Sequence, residues 1–296
     1  MRAWLALCLV CGVARADELA DLRARARAAT VPAERAAAWG ELGDALWRAS
    51  CPLAERDGVC TRVVPYAPGA PGAPTRCGPA DMDRLVAVPR DVGRVKAALD
   101  AYEQAARADP VTAVHYQQLG HLRAIDYMIE HEPALAVPAD HSIVPEREWL
   151  YDAEWRVRRL VRDYRRHMTA SDDATTVAVA ERIGRLYDQL ATQVLAVPLP
   201  ADLYTGPAPG DALDAFCDEL TEFAEAQTTN ARISYQNCLN RAHALAVFDD
   251  AALACERALE RLDPDHYPHA GELLHVQPPA PIVAPEAPAP TSSSTR

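Results

Sequence analysis

The sequence has few aromatic residues and no long apolar run beyond its beginning. Phe, Trp and Tyr together make up 6% of its 296 residues. Runs of β-branched residues bounded by turns are scarce, which disfavours a large β-sheet. After the amino-terminal segment no stretch approaches the roughly 20 apolar residues that a membrane-spanning helix needs. Alanine is abundant, and this balance favours an all-α fold.

Motifs of familiar enzymes are absent as well. The sequence contains no GxSxG, HExxH, phosphate-binding glycine loop or dinucleotide fingerprint. It contains no CxxC pair after residue 16, which disfavours a zinc site. The formal net charge is −12, and so acidic a chain is a poor nucleic-acid binder because phosphates repel it. We therefore expect no catalytic residue, no metal, no cofactor, no nucleic-acid partner and no membrane span.

The first 16 residues have the form of an export signal. Arg2 supplies a positive start, residues 3–13 form an apolar core too short to span a bilayer, and the small residues that follow fit a cleavage site. Val10 stands before Cys11, where a lipoprotein signal needs a small side chain. The pattern favours a soluble exported protein, periplasmic or extracellular, over a lipid-anchored one.

Six cysteines remain after residues 1–16, and an even number in an oxidising compartment indicates disulfides. Six cysteines permit fifteen pairings, and sequence alone does not choose among them. A predicted turn near 247–250 would bring Cys238 and Cys255 onto facing helices. A bond between Cys51 and Cys60 would close a small loop, which leaves Cys77 and Cys217. The candidate pairs are therefore Cys238–Cys255, Cys51–Cys60 and, as the remainder, Cys77–Cys217.

Three strings carry the spacing of a helical hairpin repeat. In WGELGDALW, Leu42 and Gly43 follow Trp39 by three and four residues, and Gly43 would let a partner helix approach closely. The string ALDAYEQAARADP at 98–110 has the small, aromatic and terminating residues of such a partner. The string YQQLG at 116–120 then repeats the first spacing.

These strings resemble the two helices of the tetratricopeptide repeat (TPR) family. The resemblance implies antiparallel helix hairpins stacked as a TPR-like α-solenoid with long proline-rich loops, over residues 17–276. The two halves of the first hairpin are about forty residues too far apart for a 34-residue unit, so we expect an irregular cysteine-containing insertion at 50–90. Residues 277–296, rich in Pro, Ala and Ser, should form a disordered tail.

The carboxy-terminal segment has a more particular resemblance. Cys238, then Cys255 followed by Glu-Arg, and YPHAGEL at 267–273 are similar to the closing segment of exported envelope TPR proteins of gliding bacteria. The resemblance implies an envelope protein that binds other envelope proteins, and it supplies no catalytic residue. We expect a noncatalytic scaffold or adaptor. The alternative is an enzyme or enzyme accessory acting on envelope polysaccharide or peptidoglycan, and the oligomeric state stays open.

Apolar stripes predict two later helices at 146–167 and 173–194. A further helix is predicted at 211–227, and a turn at 228–230 should end it. The first of them is strongly basic towards its end. This arginine pattern either complements the helix dipole and neighbouring carboxylates, or forms a docking strip for an acidic partner or an anionic polymer. The candidate docking residues are Arg156, Arg158, Arg159, Arg162, Arg165 and Arg166.

Overall fold

The computed structural model is mostly helical, which confirms the all-α class for the part of the chain it describes. That part comprises residues 17–53, 55, 59–64, 76–78, 84–131, 143–168, 172–197, 199–200, 203 and 209–268. The elements are α1 (17–28), α2 (Pro32–Ser50), β1 (Thr61–Val64), β2 (Arg84–Ala87), α3 (Val92–Ala108), α4 (Ala113–Glu130), α5 (Ile143–Met168), α6 (Asp173–Leu195), α7 (Pro209–Leu245) and α8 (Asp250–Leu262). The predicted signal peptide and disordered tail lie outside the described residues.

Each helix from α2 to α8 packs against the next one along the chain. Within the described ranges the apolar side chains form three buried clusters, because each amphipathic helix buries its apolar stripe against its neighbours. One cluster joins α1, α2 and α3, the largest joins α4 to α7, and the third joins α6, α7 and α8. Among the described residues no helix is long and apolar enough to cross a membrane.

The contact of α2 with α3 depends on Gly43. The fully buried Tyr102 ring lies against this glycine, and a Cβ added there would come within 2.7 Å of Tyr102 Cε1. The Tyr102 hydroxyl donates a hydrogen bond of 2.6 Å to Asp44 Oδ1, which fixes the ring in this position. The close helix approach expected at Gly43 is therefore present.

We expect Gly43→Ala to destabilise the protein even though alanine favours helices. The helix preference gains about 1 kcal/mol, but an extra methyl in a packed core costs about 1–3 kcal/mol, and the bonded Tyr102 ring has little freedom to yield. The net loss of unfolding free energy should be about 1 kcal/mol, and at most about 2 kcal/mol, in chemical denaturation.

Gly120→Ala is the matched control in α4. A Cβ at Gly120 would meet Tyr102 Cβ at 3.5 Å, which is ordinary contact. This variant should be neutral, or more stable by up to about 1 kcal/mol. Equal losses for Gly43→Ala and Gly120→Ala would contradict the steric explanation.

The cysteine-containing insertion is more regular than expected. Strands β1 and β2 pair antiparallel, with Thr61 opposite Ala87 and Val64 opposite Arg84. The insertion was predicted to be irregular, and this prediction was wrong for residues 61–64 and 84–87. Two stretches of β-branched and apolar residues, TRVV and RLVA, are too short to stand out in a sequence dominated by helical patterns.

The predicted turn at 228–230 was also wrong, because α7 runs through it without a break for 37 residues. Thr228, Thr229 and Asn230 are weak helix formers, but each costs only a few tenths of a kcal/mol. Burial of Ala231 and Tyr235 against α6 outweighs that cost, and Gly184 of α6 admits the Tyr235 ring closely. Packing against α6 therefore keeps α7 helical through residues 228–230.

The six described cysteines form three bonded pairs, which are the pairs favoured from the sequence. The sulfur–sulfur distances are 2.04 Å for Cys51–Cys60, 2.12 Å for Cys77–Cys217 and 2.08 Å for Cys238–Cys255. The first bond closes the loop after α2, the second ties the insertion to α7, and the third joins α7 to α8. Three such bonds are typical of a protein that folds in an oxidising, exported environment.

Candidate functional site

Helix α5 is amphipathic, and its buried face anchors it in the largest core cluster. Trp149, Ala153, Val157 and Tyr164 are buried in this cluster, and α5 packs against α4 and α6. These positions recur at intervals of three and four residues, as predicted for a helix with one apolar stripe. The opposite side of α5 is therefore turned outwards.

That outer side carries a surface that we call the basic stripe. At 100° per residue its members fall within a sector of about 120°. Tyr151 is 71% exposed and Trp155 is 59% exposed, and the arginines of the stripe are exposed as well. The members are Tyr151, Trp155, Arg158, Arg159, Arg162, Arg165 and Arg166.

The arginines of the stripe are only partly neutralised by their own helix. Arg158 pairs with Glu154 at 2.7 Å and Arg166 with Asp163 at 3.1 Å. The guanidinium carbon of Arg159 lies 5.9 Å from the centre of the Trp155 ring, a weak cation–π contact. Arg156, the remaining candidate, is half-buried and falls outside the sector. Five of the six candidate arginines thus share one exposed face.

A second concentration of charge lies inside the protein, around Asp126 of α4. Arg182 Nε of α6 donates to Asp126 Oδ1 at 3.0 Å, and Arg185 lies 3.5 Å from the same oxygen. The Tyr164 hydroxyl donates to it at 2.7 Å. Burial alone would raise the pKa of Asp126, but Arg182, Arg185 and Arg123 outweigh burial and lower it from 3.8 to about 2.

Arg90, which has no exposed side-chain surface, holds a neighbouring charge network together. It makes a bidentate pair with Glu130 of α4, with distances of 2.6 and 2.8 Å, and contacts Glu55 of the insertion at 2.7 Å. Its guanidinium carbon lies 4.1 Å from the centre of the buried Trp47 ring. Arg90 thereby joins α2, the insertion and α4.

Arg123 connects the two networks. Its guanidinium carbon lies 5.0 Å from the centre of the Trp47 ring, on which Arg90 also stacks. It contacts Asp44 at 3.8 Å and Asp126 at 3.6 Å. The interior charges therefore form one continuous, mutually compensating array rather than a set of separate pairs.

A small cavity opens beside Asp126. Its volume of about 20 Å³ is enough for one ordered water. A carboxylate with a pKa near 2 is a poor general base at neutral pH, because its proton affinity is too low. The geometry therefore suits structural charge pairing. The polar side chains lining it are Asp126, Glu130, Tyr164, Arg182, Arg185 and Gln189.

The histidines of the described region do not gather into a metal site. His115 bonds to Asp172, the residue that caps α6, while the His121 and His167 rings lie 5.3 Å apart. Among the described residues no group of three His, Cys, Asp or Glu side chains is placed to hold a metal ion.

Sequence reasoning found the arginines of the basic stripe but missed its aromatic half and the interior array. Tyr151 and Trp155 precede Arg159 at intervals of four residues, so a helical projection could have added them. Asp126 follows Ile125 and Arg182 follows Glu181 on their helices, and their pairing joins residues 56 apart in the sequence. No local pattern announces such a contact.

No protein-family model matches this chain, and neither the curated proteins nor the solved structures compared with it provide a match.

Proposed function

We propose that the protein is an exported, noncatalytic scaffold or adaptor of TPR-like construction, which binds other envelope proteins through the basic stripe. The observation that carries the proposal is the composition of that stripe. Trp, Tyr and Arg are the residues that most often dominate the energy of protein–protein contacts, and here they cover one exposed helix face. An acidic protein segment is the partner that this face fits best.

The helix packing supports the TPR-like part of the proposal. A Cβ added at Gly43 of α2 or at Gly120 of α4 would meet Tyr102 of α3, so one aromatic residue lies between the two helices that carry the same motif. Helices that pack on their neighbours in chain order are typical of repeat proteins, in which each unit buries the apolar face of the next.

The interior charges support a scaffold rather than an enzyme. The array around Asp126 is internally compensated, and the cavity beside it has room for about one water. A substrate site would be expected to offer a larger concave pocket with converging polar groups. The three disulfides support a location outside the cytoplasm, for which we propose the periplasm or cell surface.

The proposal is tested by capturing partners from cell-envelope extracts with the tagged full chain. We expect an envelope protein bound by the wild type to be recovered at least tenfold less well by R159E/R162E/R165E and by W155A. Both variants change exposed side chains, so folding should be unaffected, which circular dichroism would check.

The matched control is R23E/R27E/R241E. It makes the same charge change at exposed arginines of α1 and α7, and it should capture as well as the wild type. Equal loss in both triple variants would point to nonspecific electrostatics. Capture of no protein, together with release of a small product from cell-wall material, would replace the scaffold by the enzyme alternative.

A further inference from the structure

The first half of α7 carries a second charged surface, which we call the acidic stripe. Its five carboxylates recur at intervals of three and four residues, so they fall within a sector of about 80° on one side of the helix. All are exposed. Residues 211–231 contain no lysine or arginine. The members are Asp211, Asp214, Asp218, Glu222 and Glu225.

Within the described residues, the carboxylates of the acidic stripe are not used in ion pairs. Glu219, on a different side of α7, pairs with Arg147 of α5 at 2.6 Å. Among the described residues, none of the five stripe carboxylates lies in such a pair with an arginine or lysine. Five adjacent negative charges repel one another, so a cationic surface laid along them would be favoured.

The two stripes are similar in length and opposite in charge. With a rise of 1.5 Å per residue, the basic stripe from 151 to 166 spans about 22 Å, and the acidic stripe from 211 to 225 spans about 21 Å. Exposed Ala215 and Ala226 border the acidic stripe.

We infer that the basic stripe binds the acidic stripe of a second copy of this chain, so that the protein associates with itself. The inference rests on the proposed docking role of α5 and names one partner for it. A chain with a net charge of −12 would ordinarily repel its own copies. The basic stripe is the local exception that lets two copies meet.

The inference is tested by sedimentation velocity of the full chain over a range of concentrations. Wild-type protein should self-associate at about 20 mM NaCl and dissociate at about 500 mM, because salt screens exposed charges. R159E/R162E/R165E and D214K/D218K/E222K should each self-associate at least about tenfold more weakly, since three exposed pairs are replaced by repulsion.

The decisive measurement is an equimolar mixture of the two variants. In a mixed complex the new glutamates of one chain face the new lysines of the other, while the unchanged arginines face unchanged carboxylates. The mixture should therefore regain wild-type association. The control E34K/D100K/E256K changes three exposed carboxylates elsewhere and should behave like the wild type.

Two results would overturn the inference. One is a wild-type chain that stays monomeric at every concentration in low salt. The other is a mixture that fails to associate when each variant alone is folded. Capture of an envelope protein through α5 by a monomeric chain would refute self-association and leave the proposed adaptor role intact. Self-association without capture of any other protein would support the inference and refute the proposed adaptor role.

Discussion

Removal of the Cys77–Cys217 bond should destabilise the protein more than removal of either other disulfide. The bond joins residues 140 apart in the sequence. In the loop-entropy description, opening a loop of this size frees the unfolded chain by about 5 kcal/mol. C77A/C217A should therefore lose about that much free energy of unfolding in chemical denaturation, which is about a third or more of the stability of a typical domain.

The comparison variant is C51A/C60A, whose cysteines are 9 residues apart. The same relation predicts a loss of about 2.5 kcal/mol from loop opening. Alanine is used in both pairs so that no hydroxyl becomes buried. If C51A/C60A proved as costly as C77A/C217A, local packing around the buried Cys51 and Cys60 would outweigh loop closure.

Asp126→Asn should cost about 3–5 kcal/mol of folding free energy. Asparagine keeps the shape of aspartate but leaves Arg182 and Arg185 in the interior without their shared counter-charge, and uncompensated buried charges are strongly destabilising. Glu181 lies 3.9 Å from Arg182 and 3.6 Å from Arg185, which limits the loss but does not replace Asp126. Urea denaturation at neutral pH measures it.

Asp163→Asn is the control for this variant. Asp163 also pairs with an arginine, Arg166, but that arginine is 70% exposed. Exposed pairs contribute about 0–1 kcal/mol, so Asp163→Asn should change stability little. Comparable effects of the two substitutions would show that burial of the Asp126 array is not what stabilises it.

The array also predicts a pH dependence. The folded pKa of Asp126 is about 2, below its ordinary value of 3.8, so the unfolded chain binds the proton more readily. The stability that ionised Asp126 adds to the folded protein is nearly complete above about pH 4 and is lost as the pH falls towards 2. It amounts to about 2 kcal/mol. The difference in unfolding free energy between Asp126→Asn and the wild type should therefore shrink as the pH falls from about 4 to 2. A difference that stays constant over this range would contradict the lowered pKa of Asp126.

Much of the helical framework could be predicted from the sequence, because the relevant signals are local. The apolar stripes of α5 and α6 recur at helical spacing, and Asp249 caps α8 through hydrogen bonds from Ala251 and Ala252. Gly43 marks a close helix contact. The cysteine pairs followed from proximity along the chain, apart from Cys77–Cys217, which remained only by elimination.

What could not be predicted depends on distant contacts. The helix α7 continues through Thr228 to Asn230 because α6 buries its next turn. Arg90 would ordinarily be assigned to a surface, yet its position is set by Trp47, Glu55 and Glu130 from three other parts of the chain. The acidic stripe could have been recognised by helical projection, but its relation to the basic stripe requires knowing that both faces point outwards.

The connectivity of the three disulfides has a consequence for biogenesis. Each bond joins a cysteine to the next cysteine along the described part of the chain, so no bond encloses or interlocks with another. A polypeptide that enters an oxidising compartment amino-terminus first can reach the native set by linking thiols in their order of arrival. Such a chain can form its native disulfides without isomerisation of wrong pairs. Cys77 stays a free thiol until Cys217, 140 residues further along, has emerged.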